Sequence, residues 1–367
     1  MPFSKADRLQ KLPPYLFAEI DRKKKAAIAA GRDVINLGVG DPDRPTPAAI
    51  IRSLQQHAEN PAFHQYALDQ GAPELRQSIA RFLKSRYGVD LDPNTEILPT
   101  IGSKEALAHL PMAVLNPGDI SLVPDPAYPV YRTWTTFAGG EVFTLPLRAD
   151  NGFKPDFSSI PADIWKRSKL LFLNYPNNPT GATADLAFLK EAVELAHRHD
   201  LIVVQDAAYN EMYYDAPPPS ILQIDGAKDV AIEFHSLSKT FNMTGWRVGF
   251  AVGGAPLVCA LAQVNSNTDS VIFTAIQWAA KTALDEYDTI TPPIRDLYRQ
   301  RRDAFIPALR AVGLDGADAG GDLLRSIPCP RGIGSADFCS RLLEEADVVT
   351  TPASASASRA RGSSAPR

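Results

Sequence analysis

Four short runs in this chain carry residue types that do chemistry. Ser236-Leu237-Ser238-Lys239, followed by Thr244-Gly245-Trp246-Arg247, offers an amine, three hydroxyls and a guanidinium. A partly desolvated lysine loses proton affinity and forms Schiff bases, while hydroxyls and a planar guanidinium suit a phosphate. Alone, S-x-S-K is a weak pattern that a surface loop also satisfies. Asp206-Ala207-Ala208-Tyr209 supplies an anion fit to face a ring nitrogen, with a phenol three residues on; an aspartate there could equally cap a helix. Asn174-Tyr175-Pro176-Asn177-Asn178-Pro179-Thr180-Gly181 has turn composition, yet a turn does not demand two consecutive asparagines before its second proline. Gly102-Ser103-Lys104 is either an anion site at a helix start or a glycine turn with a serine N-cap.

The surrounding pattern says what must position these groups. Apolar runs at Ile97–Thr100, Ile120–Val123, Leu170–Leu173, Leu201–Gln205 and Ala231–Phe234 read as strands, and Asp185–Arg198 carries apolar residues at helical spacing. Alternating strands and helices predict a mostly parallel sheet covered on both faces, with ligands beyond the carboxyl ends of the strands. Each of the four runs follows such a strand, so they come together as a lysine nucleophile, a ring-nitrogen partner, a ring-oxygen donor and a phosphate cradle. Chance assembly of that set is improbable.

Upstream, Leu16–Ala30 reads as a charged helix ended by Gly31, and Val34–Leu37 as a strand entering Gly38-Val39-Gly40-Asp41-Pro42-Asp43. Downstream, Gln277–Val312 is helical and charged, broken at Pro292-Pro293, and runs into a smaller domain with a helix at Ser335–Ala346 and a strand at Val348–Thr350. Ala353–Arg367, nearly all Ala, Ser, Arg, Gly and Pro, is expected to be disordered.

With 367 residues, 45% hydrophobic and 22% charged, the chain has ordinary globular composition. A net charge of −4 excludes the basic excess of a nucleic-acid protein. Cys259, Cys329 and Cys339 lack metal-ligand spacing, so no metal and reduced thiols are expected. Without a secretory signal at Met1–Gln10 or a membrane-length apolar run, a cytoplasmic protein is the expectation.

Through N-P-T-G at Asn178–Gly181, D-x-A-Y at Asp206–Tyr209 and S-x-S-K-x7-R at Ser236–Arg247, the chain resembles the fold-type I pyridoxal-phosphate aminotransferases. Leu12–Phe17, Gly38–Asp43 and Phe234–Arg247 make it most similar to the LL-diaminopimelate aminotransferase family. The resemblance implies an α/β fold of type I: an N-terminal arm and part of the small domain over residues 1–45, a large cofactor-binding domain with a mostly parallel sheet over 46–285, a smaller, incomplete α+β domain over 286–352 and a disordered tail over 353–367. It implies pyridoxal 5'-phosphate as cofactor and transamination between diaminopimelate and 2-oxoglutarate in lysine or cell-wall synthesis, with alanine, aspartate or aromatic amino acids as alternative donors.

By the same resemblance Lys239 carries the cofactor and moves the proton, Asp206 pairs with the ring nitrogen, and Asn178 and Tyr209 hold the ring's phenolic oxygen. Tyr128 stacks on the ring; Gly102, Ser103, Lys104, Ser236, Ser238 and Arg247 hold the phosphate; Tyr66 reaches it from the partner subunit of a homodimer. Tyr15 and Gly40 line the substrate pocket, together with Lys104, Tyr128 and Asn178. Two stretches depart from the family pattern, Asp315–Ser326 and the run after Pro352, where relatives carry the arginine that grips the substrate's α-carboxylate. Ile327–Pro352 between them stays in register, as a shifted reading frame or decay at both places would leave it. That departure keeps open a further alternative: a cofactor-binding protein impaired in catalysis.

Overall fold

The computed structural model describes residues 4–12, 16–67, 70–314 and 324–352. The expectations for Tyr15, for most of Asp315–Ser326, and for the 353–367 tail with Arg359 and Arg361 lie outside the described residues.

Nine strands form two sheets among the described residues: β1 Ile35–Asn36, β2 Ile97–Thr100, β3 Ile120–Asp125, β4 Glu141–Pro146, β5 Ser168–Asn174, β6 Ile202–Asp206, β7 Ala231–Ser236, β8 Gly249–Gly253 and β9 Val348–Val349. The large sheet has the order β2-β8-β7-β6-β5-β3-β4. Neighbours from β7 through to β4 are parallel, and β8 alone runs backwards between β2 and β7. The sequence pattern gave five of these seven strands; β4 and the reversed β8 were not read from it, and side-chain alternation would in any case be the same in either direction.

The central strands β3 and β7 are buried along their whole length, and β5 and β6 nearly so, because helices cover both faces. Alternation then divides one strand between two cores: Leu171, Leu173 and Val203 belong to one, Leu170, Phe172, Val204 and Phe234 to the other. The connecting helices obey their end signals. Leu186–His199 starts where Asp185 accepts the Phe188 amide at 2.8 Å and ends at Asp200, which adopts φ 53°.

The small sheet pairs β1 with β9 in parallel, Ile35 opposite Val348 and Asn36 opposite Val349. Ala27, Leu343 and Val349 form its own small core, so helix Ser335–Ala346 and helix Leu16–Ala29 share this layer with the two short strands. One expected boundary moves. The helical break falls at Glu286, between Thr274–Asp285 and Tyr287–Ala311, and Pro292, Pro293 and Pro307 lie inside the second helix. A proline deprives one carbonyl of its partner; at Asp288, opposite Pro292, that carbonyl belongs to an exposed residue that water can serve.

Candidate active site

The strand register lines up the chemistry at one edge. Asn174 of β5 pairs with Asp206 of β6, Asp206 with Phe234 of β7, and Gly249 of β8 with both Ser236 and Thr100. Lys239 sits on the single turn Leu237–Thr240 that leaves β7 directly. Ser236 caps this turn, its hydroxyl accepting the Ser238 amide at 3.2 Å. Lys239 is half-buried and its Nζ donates to the carbonyl of Gly40, so the strap after β1 lies over the amine.

The phosphate-binding expectation meets a tightly built cradle. Gly249 is the only width between β7 and the start of helix Ser103–Val114: a Cβ there would lie 2.6 Å from the Ser103 nitrogen and 2.7 Å from the His235 carbonyl oxygen. Gly102 adopts φ 76°, and a Cβ on it would meet the Arg247 guanidinium at 2.5 Å. Arg247 itself takes φ 58° and donates to the Thr244 carbonyl at 2.8 Å. An open helix start, hydroxyls at Ser236 and Ser238 and a guanidinium thus share one corner, the donor set of an anion site. Lys104 is exposed on the first turn of the same helix.

Asp206 is 5% exposed. Its carboxylate accepts the Tyr131 hydroxyl at 2.6 Å and the Ala208 amide at 3.2 Å, and forms no salt bridge among the described residues. Burial pushes its pKa up to about 6, against which the Tyr131 hydrogen bond acts. Asn174 donates to the Asp206 carbonyl at 2.8 Å and accepts the Asn178 amide at 2.7 Å, tying the N-P-T-G turn to the end of β6.

The other expected residues fall into place unevenly. Tyr209 is buried one turn after Asp206, Asn178 is half-buried, and the Tyr128 ring meets the Tyr131 ring edge-on at 5.9 Å. Tyr66 is 79% exposed on the surface of this chain. Sequence reasoning passed over Tyr131 and Asn174. Asn174 was visible at the head of the Asn174–Gly181 run but had no role there. Tyr131 stands three residues after Tyr128 in a stretch that reads as core, and it does stack on Phe172 at 4.8 Å; only its hydroxyl marks it.

These residues fit a phosphorylated pyridine aldehyde. A buried carboxylate lacking a cation matches a ring nitrogen that carries a proton, a half-buried amine matches the aldehyde, and a glycine-walled anion corner matches the phosphate. Fold and site together define a pyridoxal-phosphate-dependent enzyme of fold type I.

Comparison with known proteins narrows this. The family model for aminotransferase class I and II matches residues 32–363, including both stretches that depart in composition. The chain is 52% identical over 355 residues to an LL-diaminopimelate aminotransferase of Syntrophobacter fumaroxidans, covering 96% of this chain and 92% of that one. It is 51% identical to the enzyme of the same name from Aquifex aeolicus, covering 95% and 91%. Among solved structures, substrate-bound BacF from Bacillus subtilis superposes with a TM-score of 0.93 at 37% identity, covering 98% of this chain and 92% of that one. A probable N-succinyldiaminopimelate aminotransferase from Thermus thermophilus gives 0.89 at 33%, covering 94% and 92%. The chain belongs to the class I and II aminotransferases, enzymes that depend on pyridoxal 5'-phosphate. No helix among the described residues is long and apolar enough to cross a membrane.

Proposed function

We propose that this aminotransferase moves an amino group from LL-diaminopimelate to a 2-oxo acid such as 2-oxoglutarate, as a cytoplasmic homodimer. The donor rests on the names of relatives 51–52% identical over nearly the whole chain. The residue roles rest on one observation: the strand register that sets Asn174, Asp206 and the turn bearing Lys239 along one edge.

When bound, the cofactor supplies an aldehyde for the amino group and a protonated ring that accepts the electron pair left by loss of the substrate's α-proton. Lys239 would hold it and, once its amine is released, take that α-proton and return it on the cofactor side as general base then acid. Asp206 would face the ring nitrogen, with Tyr131 and the Ala208 amide fixing the carboxylate. Asn178 and Tyr209 would hold the phenolic oxygen and Tyr128 the ring face. Gly102, Ser103, Lys104, Ser236, Ser238 and Arg247 would take the phosphate. Gly40, with Lys104, Tyr128 and Asn178, would line the substrate pocket. Tyr66, on the surface, would serve the partner's phosphate. The large domain would span 46–285, with residues 1–45 and 286–352 supplying the arm and small domain.

Borohydride trapping followed by mass spectrometry should place the adduct on Lys239; an adduct elsewhere overturns the assignment. In a half-reaction screen, LL-diaminopimelate should shift the absorbance faster than alanine, aspartate or aromatic donors. A faster response to any of those replaces the proposed donor and leaves the cofactor site standing.

A further inference from the structure

One cluster of titratable groups lies outside the roles described so far. Glu105, His109 and Asp269 bring three ligand atoms within 4.8 Å of one another, on helix Ser103–Val114 and just past helix Ala255–Ser266. Glu105 is the third residue of the helix that opens at the phosphate cradle. Its Oε2 accepts the Ile101 amide at 3.0 Å, the reach-back of a glutamate that braces a helix entry. Its Oε1 is buried and without a hydrogen bond, 3.3 Å from His109 Nδ1.

His109 is 6% exposed, and its Nδ1 lies 2.7 Å from Asn265 Oδ1; an amide oxygen only accepts, so the imidazole donates. Asn265 and Asp269 are joined through the backbone, Asp269 N–H to Asn265 C=O at 2.9 Å. Asp269 Oδ1 in turn accepts the Val271 amide at 3.3 Å. Polar groups thus run from the phosphate loop to the turn at 269–271, joined by hydrogen bonds except between Glu105 and His109, which meet in a 3.3 Å charge contact.

The cluster answers an electrostatic problem. Helix starts attract anions, but a bare carboxylate in the first turn of the same helix competes for those amides and repels a phosphate dianion. Burial pushes the Glu105 carboxyl up, with the neighbouring Asp269 acting the same way, and the Glu105 contact pushes the His109 imidazole up. A proton held between Glu105 and His109 cancels the charge of that pair, next to the phosphate corner, while leaving Oε2 free to brace the loop.

We propose that Glu105, backed by His109 and Asp269, is the positioning residue of the phosphate loop, fixing the Ile101 amide so that the turn Gly102–Lys104 faces the cofactor's phosphate. This rests on the cofactor reading above and adds to it a residue that never touches the ligand.

Pyridoxal, which lacks the phosphate, separates positioning from general damage. Binding of pyridoxal 5'-phosphate and of pyridoxal to the cofactor-stripped full chain would be followed by absorbance titration. Glu105→Ala should weaken the phosphorylated form at least tenfold and change pyridoxal less than twofold. Glu105→Gln, which still accepts from Ile101 and carries no charge, should restore affinity to within threefold of the unsubstituted chain. His109→Phe keeps Glu105 and removes its partner, and should also lose affinity for the phosphorylated form alone; it decides the matter if Glu105→Ala does not fold. Equal losses for both ligands, or no loss for either, overturn the proposal. An unsubstituted chain that binds neither ligand overturns the cofactor reading instead.

Discussion

Asp206→Asn should make the cofactor-free protein more stable at neutral pH. The carboxyl titrates at about 6 when folded, against 3.8 as the unperturbed value. Between those values the folded chain binds more protons than the unfolded one, so stability falls as pH rises through this window and stays lowered above it. A difference of roughly two units corresponds to about 3 kcal/mol of cost at pH 7.5. The amide of asparagine does not titrate, but it can accept only one of the two hydrogen bonds now given by Tyr131 and Ala208, a loss of about 1 kcal/mol. The variant should therefore be less stable than the parent by about 0.5 kcal/mol near pH 4 and more stable by about 2 kcal/mol near pH 7.5, with the curves crossing near pH 4.5. Urea denaturation of cofactor-stripped protein across that range, followed by tryptophan fluorescence, measures it. Saturation with cofactor should restore the parent's advantage, because the ring nitrogen then supplies the missing positive partner. A stability difference that does not change with pH refutes the reasoning.

Glu211→Ala removes the buried acceptor of the Tyr87 and Tyr287 hydroxyls and of Arg86, and should cost 3–5 kcal/mol in chemical denaturation at neutral pH. Gly249→Ala drives a methyl into backbone on both sides of the cradle; cofactor titration should show at least a tenfold loss of affinity, with a fall in melting temperature. Val271→Gly relieves a β-branched residue held at φ 69° and should gain about 1 kcal/mol in thermal unfolding, where an ordinary valine-to-glycine change loses stability.

The legible part of this fold is the part written in short range. β2, β3, β5, β6 and β7 each end in polar or turn residues, so their ends could be read to within two residues, together with the four chemical runs; β4 was missed. Lys239 and Asp206 were found because a charge straight after an apolar strand is conspicuous. Tyr131 was not, since its ring packs as core and only the hydroxyl's partner, 75 residues away, gives it a second use. The Glu105–His109 pair was hidden likewise: one helical turn apart on a helix, it looks like ordinary surface spacing until Asp269 arrives from another segment. Strand direction and the true helix break at Glu286 depend on tertiary packing, which local periodicity does not encode.

The pairing of Ile35 with Val348 has a bearing on biosynthesis. The first of these residues leaves the ribosome 313 residues before the second. At 5–20 residues per second, that delay is roughly 15 to 60 s. Throughout it the seven-stranded sheet can assemble from neighbouring segments, while β1, which leads into the glycine strap over the reactive amine, has no strand to pair with. Vitamin capture by a nascent chain, ahead of closure, is the order of events that this topology favours.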